Sequence, residues 1–440
     1  MGQLSILSSF PSTLTPQSLD QRAYFIPPPL QVSSDKTPLS CSINSSEEEK
    51  EKWRKSLMEG GDTAGPATCA AWIRQSEKRT LVVVGRARYR SCPPVLDIFE
   101  FNAKTTSLSP DPLVRFEIRE EGADPLGFAV HPSGDEFVCS TANGCRLYDL
   151  DSQDFTIKLI AKDLPPLQSI GPQKCLAFST DGLKFAVGGE DGHLRIFQWP
   201  TLNVILDEPK AHKSFRDMDI SLDSEFLVST STDGSARIWK INDGVPLVSL
   251  TRTADEKIEC CRFSRDGTKP FLFCTVQKGS KATTAVWDIS TWNRIGYKRL
   301  LGKPTSVLST SLDGKYLGLG SKDGDMCIVE VKTMGISHLS KKLHLGTSIT
   351  SLEFCPKERV VLSASNQWGV MMTKLNVPAD WKEWQIYLVL LGLFLASLLV
   401  FYVIYENSDS FWNFPLGKNQ PARPSTMTFT EPQSSDDSPW

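Results

Sequence analysis

Short apolar runs rich in valine, isoleucine, leucine and phenylalanine recur from about residue 66 to residue 376, and polar turns separate them. Runs of about four to eight such residues that end in Asp-Gly or Asn-Gly are typical of β-strands joined by tight turns. A glycine marks six turns of this kind, and consecutive glycines lie 42 to 48 residues apart. The six are Gly144, Gly192, Gly234, Gly279, Gly324 and Gly369. The regular spacing indicates a repeated unit.

A second polar turn precedes most of these glycines, as in HPSGDEFVCS, STDGLKFAVG and SLDGKYLGLG. A period of about 40 to 45 residues with these cues is typical of WD-type β-propellers, and an array of β-sandwiches would not give it. Six units are explicit, and ATCAAWIR, TLVVVG and PVLDIFEF supply the strands of a seventh. The sequence therefore predicts an all-β fold, a seven-bladed WD-type β-propeller over residues 66–378.

The segment 386–405, IYLVLLGLFLASLLVFYVIY, contains no charged residue. Twenty helical residues extend about 30 Å, which is the thickness of the hydrocarbon core of a bilayer. Trp381 and Trp384 lie near its start and Trp412 follows it, as aromatic residues do at membrane interfaces. The segment predicts a single transmembrane helix after the propeller.

The two ends of the chain differ from the propeller in composition. Residues 1–65 are rich in serine, proline and charge, which predicts a disordered tail. The start, MGQLSILSSF, lacks the basic and apolar regions of a signal peptide, so we expect the propeller to stay in the cytosol. Residues 406–440 are then the lumenal tail of a single-pass type II membrane protein.

Composition and motifs exclude several function classes. A formal net charge of −3 disfavours nucleic acid as a partner. The 11 cysteines include no CxxC pair, which predicts reduced thiols and no metal site. The chain has no GxSxG, GxxxxGK[ST] or HExxH motif, so we expect neither a cofactor nor catalysis by its own side chains.

Four residues could be mistaken for parts of a hydrolase: His212, Ser231, Asp233 and Trp239. In a WD repeat these residue types form a hydrogen-bonded network that satisfies buried polar groups and fixes the geometry of a blade. We expect this structural role for the four residues.

Two basic segments are candidates for binding a partner. The first, EPKAHKSFRDMDISLD, contains Lys210, Lys213 and Arg216 close together. A solvated propeller rim explains such a cluster, and a contact with an acidic partner is the alternative. Nucleic acid would need a broader basic field.

The second basic segment, GRARYRSCPP, lies between two predicted strands and contains Gly85, Arg86, Arg88 and Arg90. Because successive side chains of an extended chain alternate in direction, an extended conformation would place the three arginines on one face. The segment is either a basic rim loop with no special task or a contact with a protein or with anionic lipid headgroups.

Several long stretches carry a family resemblance, among them EPKAHKSFRDMDISLDSEFLVSTSTDGSARIWK, SRDGTKPFLFC, LHLGTSITSLEFCP and YENSDSFW. With them the chain resembles, from about residue 60 to residue 412, the plant branch of the Sec-twelve family of endoplasmic-reticulum membrane proteins. Family members act as guanine-nucleotide exchange factors for the Sar GTPase, which starts COPII coats. The resemblance implies an endoplasmic-reticulum location, with the Sar GTPase or COPII components as partners.

Active members of that family carry a run of glycines where this chain has GRARYRSCPP, and there the loop binds a potassium ion. Backbone carbonyls converge on a cation only where side chains are absent and unusual φ angles are allowed. Here Gly85 stands alone before three arginines, and Pro93 and Pro94 restrict the backbone. The departure implies that the exchange loop is not preserved.

The same stretches are similar to those of the family members that facilitate the traffic of phosphate transporters in plants. The resemblance thus implies a non-enzymatic accessory factor that lets plasma-membrane phosphate transporters leave the endoplasmic reticulum as cargo. Two alternatives remain open. One is an active exchange factor for the Sar GTPase with a rebuilt loop, and the other is a general membrane-tethered scaffold without cargo selectivity.

Overall fold

The structure, a computed structural model, describes residues 65–73, 79–153, 156–251, 255–268, 270–279, 281–377 and 383–406. Within these ranges the chain forms seven antiparallel sheets and one long helix. The predicted disordered tail up to residue 64, the predicted lumenal tail beyond Glu406, Trp381 and Trp412 lie outside the described residues. The seven-bladed propeller predicted from the repeat is confirmed.

Each sheet is one blade, built from strands that follow one another along the chain. Blade 1 contains β1 (Ala67–Ile73), β2 (Leu81–Arg86), β3 (Val95–Asn102), β4 (Ser107–Leu108) and β5 (Val114–Glu117). Blade 2 contains β6 (Gly127–Val130), β7 (Glu136–Thr141), β8 (Gly144–Gln153) and β9 (Thr156–Gln168). Blade 3 contains β10 (Gln173–Phe178), β11 (Lys184–Gly189), β12 (Leu194–Gln198) and β13 (Asn203–Glu208).

The remaining blades repeat this order. Blade 4 contains β14 (Phe215–Ile220), β15 (Phe226–Ser231), β16 (Ala236–Lys240) and β17 (Val245–Ser249). Blade 5 contains β18 (Glu256–Phe263), β19 (Phe271–Lys278), β20 (Lys281–Asp288) and β21 (Arg294–Lys298). Blade 6 contains β22 (Thr305–Thr310), β23 (Tyr316–Ser321), β24 (Met326–Glu330) and β25 (Gly335–Ser340). Blade 7 contains β26 (Ser351–Phe354), β27 (Val360–Ser365) and β28 (Gly369–Lys374).

The second strand of every blade is buried almost throughout, whereas an outermost strand such as β17 is largely exposed. The second strand lies in the middle of its sheet, and both of its faces pack against neighbouring blades. This burial explains why these strands appear in the sequence as continuous apolar runs such as LVVVG and FAVGG. Side chains of these runs form the core together with side chains of the first and third strands.

The six turn glycines identified in the sequence all adopt positive φ angles, between 60° and 141°. Four of them also lie close to the backbone of another segment, and the approach is closest at two. A Cβ atom on Gly192 would lie 1.9 Å from the carbonyl oxygen of His212, and one on Gly324 would lie 1.7 Å from that of His344. Only glycine satisfies both the conformation and the space at these two turns.

The first strands of the blades form the inner wall of the ring, and each contacts the first strands of both neighbours. The ring closes where β1 packs against β26, β27 and β28. A core cluster crosses this junction and includes Trp72 and Phe99 of blade 1 with Leu362 of blade 7. Glu353 of β26 strengthens it, because its Oε2 accepts a hydrogen bond from the Trp72 main-chain N–H at 2.9 Å.

The hydrogen-bond network of blade 4 links His212 and Trp239, but through a different serine from the predicted one. Asp233 is connected to the network through Ser235, whose N–H donates to Asp233 Oδ1 at 2.8 Å and whose Oγ lies 3.4 Å from His212 Nδ1. The Oγ atom of Ser229, not of Ser231, lies 2.8 Å from His212 Nε2 and also accepts the Trp239 indole N–H at 2.8 Å. Ser231 instead caps the following turn, where its Oγ accepts the Asp233 N–H at 3.4 Å. The prediction that Ser231 binds His212 was wrong. Residues two apart on a strand share a face, so only the strand register decides which serine contacts the histidine.

Blade 7 contains a second network that the sequence analysis missed. His344 is fully buried, its Nε2 lies 2.8 Å from Ser363 Oγ, and its Nδ1 lies 2.8 Å from Ser365 Oγ. The repeat offered a signal, since His344 precedes β26 just as His212 precedes β14. Burial lowers the pKa of both histidines to about 4.

The helix α1 (Glu383–Glu406) includes the whole predicted transmembrane segment. From Trp384 its side chains are at least partly exposed, and most are apolar. It is long and apolar enough to cross a membrane.

The two buried histidines make stability depend on pH. Their folded-state pKa is about 4, whereas an unfolded histidine titrates near about 6.5, so the unfolded chain binds more protons between these values. We therefore expect stability to fall as pH drops through this window, by about 2 kcal/mol per histidine between pH 7.5 and pH 5. Urea unfolding of the wild type and of His344→Gln at both pH values measures it. Equal pH dependence in the two proteins would contradict the role of His344.

Candidate functional site: the arginine hairpin and the central channel

The connection between β2 and β3, residues 86–94, is a short ordered hairpin that we call the arginine hairpin. Its entry is fixed by the Ala87 N–H, which donates to the Pro66 carbonyl at 3.0 Å. At the tip the main chains of Tyr89 and Cys92 pair through hydrogen bonds of 2.9 and 3.3 Å, and Arg90 turns the chain with φ 52°. The hairpin therefore has a defined backbone rather than that of a glycine-rich loop.

Arg86 is the anchor of the hairpin. Its Nε lies 3.0 Å from Oδ2 of Asp97, a β3 residue that is 0% exposed. Arg115 of β5 binds the same carboxylate through Nε at 2.7 Å and Nη2 at 3.2 Å. A buried carboxylate needs such charged partners, and this one joins three strands of blade 1.

The expectation that all three arginines share one face is wrong. It assumed an extended chain to Arg90, but β2 ends at Arg86 and the chain then turns at the hairpin tip. Arg86 points to Asp97, while Arg88 and Arg90 are exposed. Of the three arginines, only Arg88 and Arg90 are exposed enough for a partner to contact most of the side chain.

The exposed tip presents Arg88, Tyr89 and Arg90 in a fixed arrangement. The Arg88 main-chain N–H donates to Asp124 Oδ1 at 2.8 Å, which ties the tip to the loop before β6. The Arg90 guanidinium lies 5.0 Å from the centroid of the Tyr89 ring, within the range of a cation–π contact. The ordered backbone of the tip reduces the conformational entropy that is lost when an anionic group binds.

Gly85 is not a surface residue as the sequence analysis proposed. It is buried in β2, where a Cβ atom would lie 2.8 Å from both Cys69 Sγ and Pro125 Cβ. The glycine is required because blade 1 and the loop before β6 approach each other closely at this point. Gly85 therefore has a structural role at the base of the hairpin.

The three cations of the second basic segment are separated by the fold. Lys210 and Lys213 are exposed in the connection before β14. Arg216 lies within β14 and faces the central channel, where its Nη2 is 3.3 Å from Glu259 Oε2. Lys322 shares that carboxylate at 3.0 Å. Lys210 and Lys213 thus stay candidates for a surface contact, whereas Arg216 belongs to the channel.

The central channel contains a cavity of about 230 Å³ lined by residues of all seven blades. Its wall between blades 4 and 5 is held by two carboxylates of β14. Asp217 Oδ2 accepts from Arg262 Nη1 at 2.7 Å, and Asp219 Oδ1 accepts from Arg265 Nη2 at 2.7 Å. The sequence analysis missed this pairing, because alternating charges on separate strands do not reveal their partners.

The cysteines that line the cavity are unreactive thiols. Cys69, Cys175 and Cys260 are all buried. Burial raises the pKa of Cys69 and Cys260 to about 12 and the pKa of Cys175 well above its ordinary value. A thiol with such a pKa is almost entirely protonated at neutral pH and is a poor nucleophile or metal ligand. The described residues include no group of three or more His, Cys, Asp or Glu residues placed to hold a metal ion.

These features define a class: a WD-repeat β-propeller followed by a helix that can cross a membrane. The WD40 model (WD domain, G-beta repeat) matches residues 168–198 and 204–240. SEC12-like protein 1 of Arabidopsis thaliana is 55% identical over 393 residues, which cover 87% of this chain and 98% of that protein. The chain therefore belongs to the SEC12-like family.

Two further relatives place this family in context. SEC12-like protein 2 of Arabidopsis thaliana is 32% identical over 294 residues, covering 65% of this chain and 73% of that protein. The guanine nucleotide-exchange factor SEC12 of Rattus norvegicus is 25% identical over 317 residues, covering 64% of this chain and 70% of that protein. The SEC12-like family is thus related to a nucleotide-exchange factor.

Loss of the Asp97 carboxylate should loosen the arginine hairpin. We expect Asp97→Asn to lower the free energy of unfolding by about 2–4 kcal/mol, because two arginines then lose a buried charged partner. Amide hydrogen exchange at Ala87 and Cys92 should become faster by about tenfold or more.

The matched control for this test is Asp111→Asn, an exposed acidic position in the same blade. It should change stability by less than about 0.5 kcal/mol. An Asp97→Asn protein with unchanged stability and unchanged exchange at the hairpin would show that the buried carboxylate does not fix it.

Proposed function

We propose that this protein is an endoplasmic-reticulum membrane accessory factor that promotes the exit of plasma-membrane phosphate transporters and does not exchange nucleotide on the Sar GTPase. The propeller lies in the cytosol, helix α1 crosses the membrane, and the C-terminus is lumenal. Membership in the SEC12-like family supports a role in export from this compartment. The family resemblance of the long propeller stretches supports the choice of cargo.

The observation that carries the proposal is the chemistry of the arginine hairpin. In active exchange factors of the family this position is a glycine-rich loop whose carbonyls hold a potassium ion. Here Arg86 is bound to Asp97, Arg90 forms the turn, and Tyr89 pairs with Cys92. The two exposed guanidinium groups repel a cation, and the carbonyls of Tyr89 and Cys92 accept hydrogen bonds across the tip.

The same geometry suits a different task. The hairpin presents two exposed cations on a rigid support, which fits an acidic segment of a cytosolic protein surface. Lys210 and Lys213 add exposed positive charge in the connection before β14. We infer that these residues contact the cytosolic part of the cargo or of the export machinery.

Nucleotide release from a purified Sar GTPase tests the absence of exchange activity. The full chain, reconstituted in liposomes, should leave the release rate unchanged within about twofold of the rate with empty liposomes. The rat exchange factor SEC12, reconstituted in the same way, serves as the positive control. Acceleration approaching that of the rat protein would establish an active exchange factor with a rebuilt loop and would refute this part of the proposal.

Charge reversal at the hairpin tip tests the contact with cargo. In cells that lack the protein, the double variant Arg88→Glu, Arg90→Glu should restore surface delivery of a phosphate transporter less well than the wild type, by about fivefold or more, because repulsion replaces attraction. The matched control is Lys278→Glu, an exposed lysine that ends the second strand of blade 5 as Arg86 ends that of blade 1.

Delivery of an unrelated plasma-membrane protein is measured in the same cells. Loss of delivery for both proteins would favour a general scaffold over a factor selective for phosphate transporters. Full rescue by the charge-reversal variant would show that the hairpin does not contact cargo.

A further inference from the structure

The first strands of several blades share a β-bulge near their starts, and the bulges shape the cavity in the central channel. The strand register shifts between Gln173 and Cys175 in β10 and between Phe215 and Asp217 in β14. The residues at these bulges are Lys174 and Arg216, and both line the cavity. A bulge redirects a side chain, so Arg216 of blade 4 enters the channel. Lys174 of blade 3 lines the cavity with part of its side chain, while its Nζ lies 3.3 Å from Glu190 Oε2.

One donor of Arg216 is buried without a partner among the described residues. Its Nη2 pairs with Glu259, but its Nε–H has no hydrogen-bond acceptor within reach there. A buried donor of a charged group is costly to leave unpaired, and native structures satisfy nearly all such groups. The cavity beside it is the place from which an acceptor can come.

The carboxylates that line the cavity do not supply that acceptor. Asp217 accepts the Met218 N–H at 3.0 Å through Oδ1 and Arg262 at 2.7 Å through Oδ2. Glu353 accepts the Trp72 N–H at 2.9 Å through Oε2. The acidic residues that line the cavity are thus hydrogen-bonded to other residues of the channel wall. The Arg216 Nε–H, in contrast, has no acceptor among the described residues.

A neutral donor also lines the cavity. Ser351 Oγ accepts a hydrogen bond from the Ala70 N–H at 3.2 Å, which leaves its own O–H able to donate. Guanidinium, ammonium and hydroxyl donors around a cavity of about 230 Å³ form a set that suits a compact tetrahedral oxyanion. We propose that the channel binds a phosphate-type oxyanion, free or as a phosphomonoester, through Arg216 and Lys174. This inference does not depend on the proposed function.

The experiment uses the full chain in neutral detergent and follows thermal unfolding and calorimetric titration with sodium phosphate. Sodium chloride at the same ionic strength is the reference, because it screens charge without offering a tetrahedral acceptor. We expect phosphate to raise the unfolding midpoint by about 2 °C at saturation. Glycerol 2-phosphate in a parallel titration distinguishes the sources: equal affinity assigns a phosphomonoester, and binding of phosphate alone assigns the free anion.

Variants locate the site. Arg216→Gln should raise the half-saturating phosphate concentration by about tenfold, since it removes the charged donor. Lys174→Gln should raise it by about threefold, and it should fold as the wild type does because its pair with Glu190 is partly exposed and contributes little to stability. Lys298→Gln, at an exposed lysine outside the cavity lining, is the matched control and should bind as the wild type does.

Two results would overturn the proposal. One is a phosphate effect that does not saturate and equals the effect of chloride. The other is an equal loss of binding in Lys298→Gln and Lys174→Gln, which would show a general response to surface charge.

Discussion

The closure of the ring is the constraint on which the rest of the structure depends. Each inner strand must pack against two neighbours at once, and every polar group at these junctions needs a partner in a setting with little water. Between blades 4 and 5 the partners are Asp217 and Asp219 of β14, each bound to an arginine of blade 5. Between blades 7 and 1 the partner is Glu353, which holds the Trp72 N–H.

Closure also constrains the strands of a blade more tightly than the connections between them. The second and third strands of blade 1 pack against blades 7 and 2, so a change in their backbone would disturb both neighbouring blades. The arginine hairpin between them projects from the ring and can acquire a different chemistry on the same support. Asp97 lies at the boundary: it is buried with the core, yet it fixes Arg86 at the base of the hairpin.

Much of the architecture could be predicted because the blades repeat the same order of strands and turns. The turn glycines have a local reason, a positive φ angle, and the apolar runs have another, burial on two faces. The functional residues were harder because their roles depend on register and partners. Ser229 and Ser231 lie on the same face of β15. No local sequence pattern shows that Ser229 is the one that contacts His212.

The candidate site shows the same limit. The sequence indicates that Arg86, Arg88 and Arg90 are cations in one loop, but not that Arg86 is bound by a buried carboxylate eleven residues further on. Arg216 belongs to a basic cluster in the sequence and to the channel in the structure, because a β-bulge redirects it. Pairing with acidic residues elsewhere in the fold thus gives Arg86 and Arg216 roles that differ from those of the neighbouring cations in the sequence.

Site-specific photo-crosslinking tests the central claim most directly, that the arginine hairpin contacts export cargo. A photoreactive benzoylphenylalanine replaces Tyr89, 39% exposed at the hairpin tip, in the full chain in endoplasmic-reticulum membranes. The matched position is Tyr297, 73% exposed on β21 of blade 5. The account predicts an adduct with a phosphate transporter from position 89 and none from position 297. An adduct with the Sar GTPase from position 89, or the same adducts from both positions, would contradict it.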